Sequence, residues 1–162
     1  MYIRNIAVPD WSSIMALQHQ AYYHLDPESE AVLRSKVSVG QNVSFVAEKK
    51  DSVVAYLIAF SYPINQYPSL VKPEAEPFRC SNLLLHDLVV ERDNRLEGIA
   101  TRLLSVLRDV AKEQGYRTLS LVASDISKAF WQKQGFESVP TAVAPIHYGS
   151  GSVYMCLHIE DY

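Results

Sequence analysis

A chain of 162 residues is long enough for one domain with a sizeable core, and 48% hydrophobic with 20% charged residues is ordinary globular composition. The net charge of −3 and pI of about 5.9, with Lys and Arg scattered along the chain, argue against nucleic acid as the main partner. No stretch approaches the roughly 18 apolar residues of a membrane helix, and MYIRNIAVPDW lacks the apolar core of a signal peptide, so a cytoplasmic protein without a membrane partner is expected.

Tyr2 to Ile6 alternates apolar and polar residues and reads as a first strand. Pro9-Asp10 then opens an amphipathic helix carrying Trp11, Ile14, Met15, Leu17, Gln18 and Ala21, with Tyr22-Tyr23-His24 at its end. A second helix begins around Asp26-Pro27-Glu28-Ser29, carries Ala31, Val32, Leu33 and Val37, and stops at Gly40. Val43 to Glu48 and Val53 to Tyr62 form two strands across the charged turn Lys49-Lys50-Asp51-Ser52, a hairpin. The stretch from Pro63 to Ser81 holds four prolines, too many for regular structure, and is long for a connection in a compact domain.

Leu83 to Val90 is an apolar run broken only by His86 and Asp87, and its length and β-branched tail predict a largely buried strand. After the polar turn ERDNRLEG, Ile99, Leu103, Leu104, Leu107, Val110 and Ala111 recur at helical spacing until Gly115. The N–H groups of Leu96 to Thr101 fall at or before the first helical turn, unpaired and at the positive end of its dipole, which suits a phosphate or pyrophosphate. Thr118 to Ala123 is a further strand, Ser127 to Gln134 a short helix and Phe136 to Val139 the start of another strand. Val153 to Ile159 closes the chain as a strand whose partner lies within Glu137 to Val143. Cys80 and Cys156 show no metal-ligand spacing and read as packing thiols, so no metal is expected.

Arg95-Leu96-Glu97-Gly98-Ile99-Ala100 resembles the R-x-x-G-x-G/A signature of the GCN5-related N-acetyltransferase (GNAT) superfamily. Leu88-Val89-Val90 is similar to that family's L-x-V strand end, and Ala129 to Phe136 to its A-x-F-Y-x-x-x-G-F element. The resemblance implies an α/β (α+β) fold in a single domain over residues 1–162. Its mixed central sheet has about seven strands, splayed between strands 4 and 5 and flanked by four helices. It implies acetyl-CoA as cosubstrate and transfer of the acetyl group to a primary amine by direct attack in a ternary complex. A small-molecule amine is favoured over a peptide by the acidic pI. Beyond the monomer, the assembly to consider is a homodimer. The alternative is a non-catalytic acyl-CoA-binding or sensing module of the same fold.

By that resemblance, Leu96, Glu97, Gly98, Ile99, Ala100 and Thr101 face the pyrophosphate, with Arg95 beside them, and the main chain of Leu88, Val89 and Val90 holds the pantetheine. Ser124 stands where an Asn is common, and Phe130 and Trp131 pack against the cofactor arm or the core. Leu96 replaces a frequent Gly, Glu97 puts an acid on a phosphate loop, offset by Arg95 and Arg102, and Trp131 replaces the Tyr that protonates the leaving thiolate. An indole N–H is not a useful acid. His86 is then the leading candidate base, at a strand position where some members use Glu through a water; the other reading is a hydrogen-bonded core histidine. Asp87 is assigned by strand alternation to the opposite face as a structural acceptor. Tyr148 is the candidate acid, and Tyr23 and Glu28 are candidates for binding the amine.

Overall fold

The computed structural model describes residues 1–22, 26–141 and 143–159. One seven-stranded sheet runs through the chain in the spatial order β1-β2-β3-β4-β5-β7-β6, built from β1 (Tyr2–Asn5), β2 (Phe45–Lys49), β3 (Ser52–Ser61), β4 (Asn82–Val90), β5 (Thr118–Ala123), β6 (Glu137–Ser138) and β7 (Val153–His158). The final strand lies between β5 and β6, antiparallel to both, so its partner does fall within 137–143, as the sequence suggests. Among the described residues only β4 and β5 are parallel neighbours.

Four helices cover the two faces: α1 (Trp11–Ala21), α2 (Glu30–Gly40), α3 (Ile99–Glu113) and α4 (Lys128–Lys133). On one face Trp11, Ile14 and Leu17 of α1 and Leu33 of α2 pack on Val46, Tyr56, Ile58 and Val89. On the other, Ile99, Leu103, Leu104, Leu107 and Ala111 of α3, with Trp131 and Phe136, pack on Leu57, Leu83, Leu85, Leu119 and Leu121. The 3.6-residue spacing of the α3 leucines gives that helix a single apolar stripe. Ser29 caps α2, its hydroxyl accepting from Val32 N at 3.2 Å. The β2–β3 hairpin turns on Lys50 and Asp51, both left-handed at φ 51° and 63°, the geometry a two-residue hairpin with right-handed twist requires. Among the described residues no helix is long and apolar enough to cross a membrane.

Two features of β4 shape the site. Its parallel pairing with β5 runs through only Asn82–Thr118, Leu83–Leu119 and Leu84–Ser120, after which the strands separate. Asn82 anchors that short seam: its amide donates to the Tyr62 carbonyl and Ser120 Oγ and accepts from Thr118 Oγ1. The second feature is a bulge against β3, where Ile58 pairs with Asp87 and Ala59 with Leu85, leaving His86 without a partner.

Candidate active site

The separation of β4 from β5 opens a cavity of about 800 Å³, within the range of small-molecule sites. The side of β4 facing β5 has no ladder beyond Leu84, so its main-chain groups from Leu85 onward border the cavity without a strand opposite. At one end stands the start of α3. Its N-cap, Gly98, lies at φ 78° and offers no capping side chain, and the first intrahelical bond there is Arg102 N to the Gly98 carbonyl. The N–H groups of Ile99, Ala100 and Thr101 therefore point out of the helix end uncapped by any side chain.

Of the residues singled out for the cofactor, Leu88, Val89, Val90, Arg95, Leu96, Gly98, Ile99, Ala100, Thr101, Ser124, Phe130 and Trp131 all line this cavity. Glu97 does not. Its carboxylate turns to Lys49 at the end of β2, Nζ to Oε2 2.7 Å, and Lys49 also reaches Asn94 Oδ1 at 3.2 Å. The acid on the loop is thus neutralised by a strand-end lysine, whereas Arg95 donates to the Val90 carbonyl at 3.2 Å. Leu96 occupies left-handed backbone at φ 68° with its side chain fully exposed. Trp131 is buried, edge-on to Phe130 and Phe136 with ring centroids 4.9 and 5.5 Å away, so it serves packing.

The other end of the cavity gathers Tyr22, Asp26, Glu28, Leu70, His86, Asp87 and Tyr148. Strand alternation would put His86 and Asp87 on opposite faces, but the bulge turns both toward α1 and α2, a correction that hydrophobic periodicity cannot foresee. Asp87 accepts from Tyr22 Oη at 2.7 Å and Tyr56 Oη at 2.6 Å. Burial pushes its carboxyl up, against the pull of His86 and the two hydroxyls. His86 Nε2 lies 2.6 Å from Glu28 Oε1, and the ring meets Phe60 edge-on. Burial also drives Glu28 upward, yet His86 and Lys36 outweigh it and hold the carboxyl below the ordinary range.

The long segment between β3 and β4 covers this end and is pinned to α2, to β7 and to the connection between β6 and β7. Lys36 of α2 donates to the Ser69 carbonyl at 2.9 Å, and Glu74 N donates to Ser35 Oγ at 2.9 Å. Asn65 N donates to Tyr154 Oη at 2.9 Å, and Tyr67 Oη to the Val143 carbonyl at 2.8 Å. Tyr148 donates its hydroxyl hydrogen to the Pro68 carbonyl, and burial, with Glu28 and neighbouring tyrosines, pushes that phenol well above its ordinary range. Tyr23 lies outside the described residues. Sequence reasoning missed Tyr22 and Lys36; the latter was readable, since Lys36 falls on the same stripe as Val32, Leu33 and Gly40, the face that α2 buries.

Solved structures share this architecture across almost their whole length. Ard1 from Thermoplasma volcanium superposes with a TM-score of 0.77 at 16% identity, covering 97% of this chain and 96% of that one. An aminoglycoside 6′-N-acetyltransferase complexed with coenzyme A gives 0.73 at 17% identity, covering 98% and 97%. The PaiA N-acetyltransferase from Thermoplasma acidophilum, in complex with coenzyme A, gives 0.71 at 13% identity, covering 97% and 98%. No curated protein matches the chain. Identities this low speak for the fold alone, but the sequence pattern of the Acetyltransferase (GNAT) family matches residues 3–136, most of the chain. The splayed sheet and the glycine-capped helix start are therefore the frame of a family member: the chain belongs to the Acetyltransferase (GNAT) family.

Proposed function

We propose that the chain is an acetyl-CoA-dependent N-acetyltransferase acting on the primary amine of a small molecule. The observation that carries this reading is one continuous cavity bordered by the uncapped amides of α3, the unpaired edge of β4 and His86. These residues fit acetyl-CoA. The amides of Ile99 to Thr101 and the αL glycine before them suit a pyrophosphate, and the bare strand edge suits an extended, amide-bearing arm that pairs with it. Acetyl-CoA supplies the acetyl group as a thioester. Arg95, Leu96 and Ser124 flank its path, Phe130 and Trp131 wall it, and Glu97 contributes only by staying turned toward Lys49.

At the acceptor end, His86 takes one proton from the bound ammonium, directly or across one water. The amine so freed attacks the thioester carbonyl carbon; the C–N bond forms, the C–S bond breaks, and the second amine proton passes to the departing thiolate. Because the Tyr148 hydroxyl is committed to Pro68 and its phenol is harder to ionise than a free one, its role here is to brace the covering segment and line the acceptor end. That pinned segment favours a small acceptor over an extended peptide. The reading places the reaction in the cytoplasm with no metal.

A second reading, a non-catalytic acyl-CoA-binding module, is favoured by Trp131 in place of an acid and by the engaged Tyr148 hydroxyl. Calorimetric titration with acetyl-CoA and a thiol-release assay over a panel of small amines separate the two. An enzyme binds and releases thiol, with His86→Gln losing roughly 10²–10⁴ in rate at unchanged cofactor affinity. Tight binding without thiol release from any amine would leave the module.

A further inference from the structure

Both carboxylate oxygens of Glu28 are engaged inside the protein. Oε1 lies 2.6 Å from His86 Nε2, and Oε2 lies 2.7 Å from Nζ of Lys36, whose side chain has no exposed surface. The same ammonium donates to the Ser69 carbonyl. A fully buried ammonium is tolerable only where an anion and further acceptors satisfy it, and here Glu28 and Ser69 do so. With Glu28 held ionised by these neighbours, its carboxylate has no proton to offer. The Glu28–His86 contact is then one in which Nε2 carries the hydrogen and donates it. In the neutral ring this leaves Nδ1 with a bare lone pair. Nδ1 is buried and has no hydrogen-bond partner among the described residues, an unusual state for a buried polar atom and one expected where a proton is to be received.

Resting on the acetyl-transfer reading, we propose that Glu28 and Lys36 are positioning residues: they lock His86 in the Nε2–H tautomer and so leave Nδ1 as the proton-accepting atom. Lys36, on the far side of the same carboxylate, keeps Glu28 ionised and fixed as the acceptor of the Nε2 hydrogen. The other groups facing the ring are Asp87 on β4, itself held by Tyr22 and Tyr56, Glu74 from the covering segment, and Tyr148 near Glu28. Each is constant in the comparison below. The Ser69 bond gives Lys36 a second duty, tying the segment that covers the acceptor to the residue that orients the base.

Long-range proton–nitrogen NMR of protein carrying ¹⁵N-labelled histidine tests this without substrate, the His86 signals being assigned by their loss in His86→Gln. At high pH the neutral ring should show a pyridine-like Nδ1 and a pyrrole-like Nε2. The preference for that tautomer should weaken in Glu28→Gln, whose amide can donate to Nε2 as well as accept from it, and in Lys36→Met, which frees the carboxylate from its second anchor. A structural role alone would lower the melting temperature without changing the tautomer. If Lys36→Met fails to fold, the wild-type and Glu28→Gln tautomers decide. An Nδ1–H tautomer in the wild type, or an unchanged preference in folded Glu28→Gln, overturns the relay. Because no readout requires turnover, the relay and the acetyl-transfer reading stand or fall separately.

Discussion

Lys49 at the end of β2 and Glu97 in the loop before α3 form a 2.7 Å ion pair that turns the Glu97 carboxylate away from the helix amides. The pair is partly exposed, so it adds little to stability. Its effect should appear in ligand binding. Lys49→Met frees Glu97 beside the phosphate site and should weaken acetyl-CoA binding about three- to tenfold, on the order of 1 kcal/mol, with the melting temperature nearly unchanged. Adding Glu97→Gln should restore the affinity, and calorimetry on the four members of that cycle measures the coupling.

Leu96 pays for its left-handed backbone without burying its side chain. A Cβ in that region costs about 1–2 kcal/mol, more than the roughly 0.4–1 kcal/mol that a glycine loses through the unfolded chain. Leu96→Gly should therefore stabilise the protein by about 0.5–1 kcal/mol in chemical denaturation. At Gly98, by contrast, a Cβ would meet nothing within 4 Å, so Gly98→Asp acts through φ and charge. It should abolish acetyl-CoA binding while leaving the fold cooperative.

Trp131 fills space against Phe130 and Phe136. Trp131→Phe should keep most turnover, whereas Trp131→Ala should lose about 3–5 kcal/mol of stability. Steady-state rates alongside melting curves check both; a collapse of kcat in the Phe variant at unchanged melting temperature would assign the indole N–H a chemical role.

The strands, the four helices and the start of α3 that borders the cavity were legible because they depend on local signals: alternation in β1, the leucine stripe of α3, and glycines at positive φ around it. The end of the cavity around His86 was not. A one-residue bulge leaves no mark on apolar periodicity, yet it decides that His86 and Asp87 share a face. The partners of Glu28 come from α2 and β4, 8 and 58 residues away in sequence, a pairing that no spacing rule reaches. Lys36 on an apolar stripe was the available hint that a buried carboxylate waited for it.

Acid should unfold the protein through two carboxylates. The Arg4 guanidinium, forked onto Asp10 at 2.7 and 2.8 Å, outweighs burial and holds Asp10 below its ordinary value, and Glu28 is held down likewise. Groups depressed in the folded state stabilise it above their unfolded values, about pH 4, and that stability is lost as pH falls through the folded values. Asp10→Asn should cost about 1–3 kcal/mol at pH 7 and flatten the acid limb of stability against pH, measured by denaturant titration from pH 7 to pH 2.

The three-rung seam between β4 and β5 also makes the sheet two plates joined along a short hinge line, four strands on one side and three on the other. A ligand arm lying along the bare edge of β4 and touching the β5 side would act as a splint across that line. The plates would then move as one body only when the slot is filled, and occupancy would be felt in the amide-exchange protection of strands on both sides, far from any atom the ligand touches.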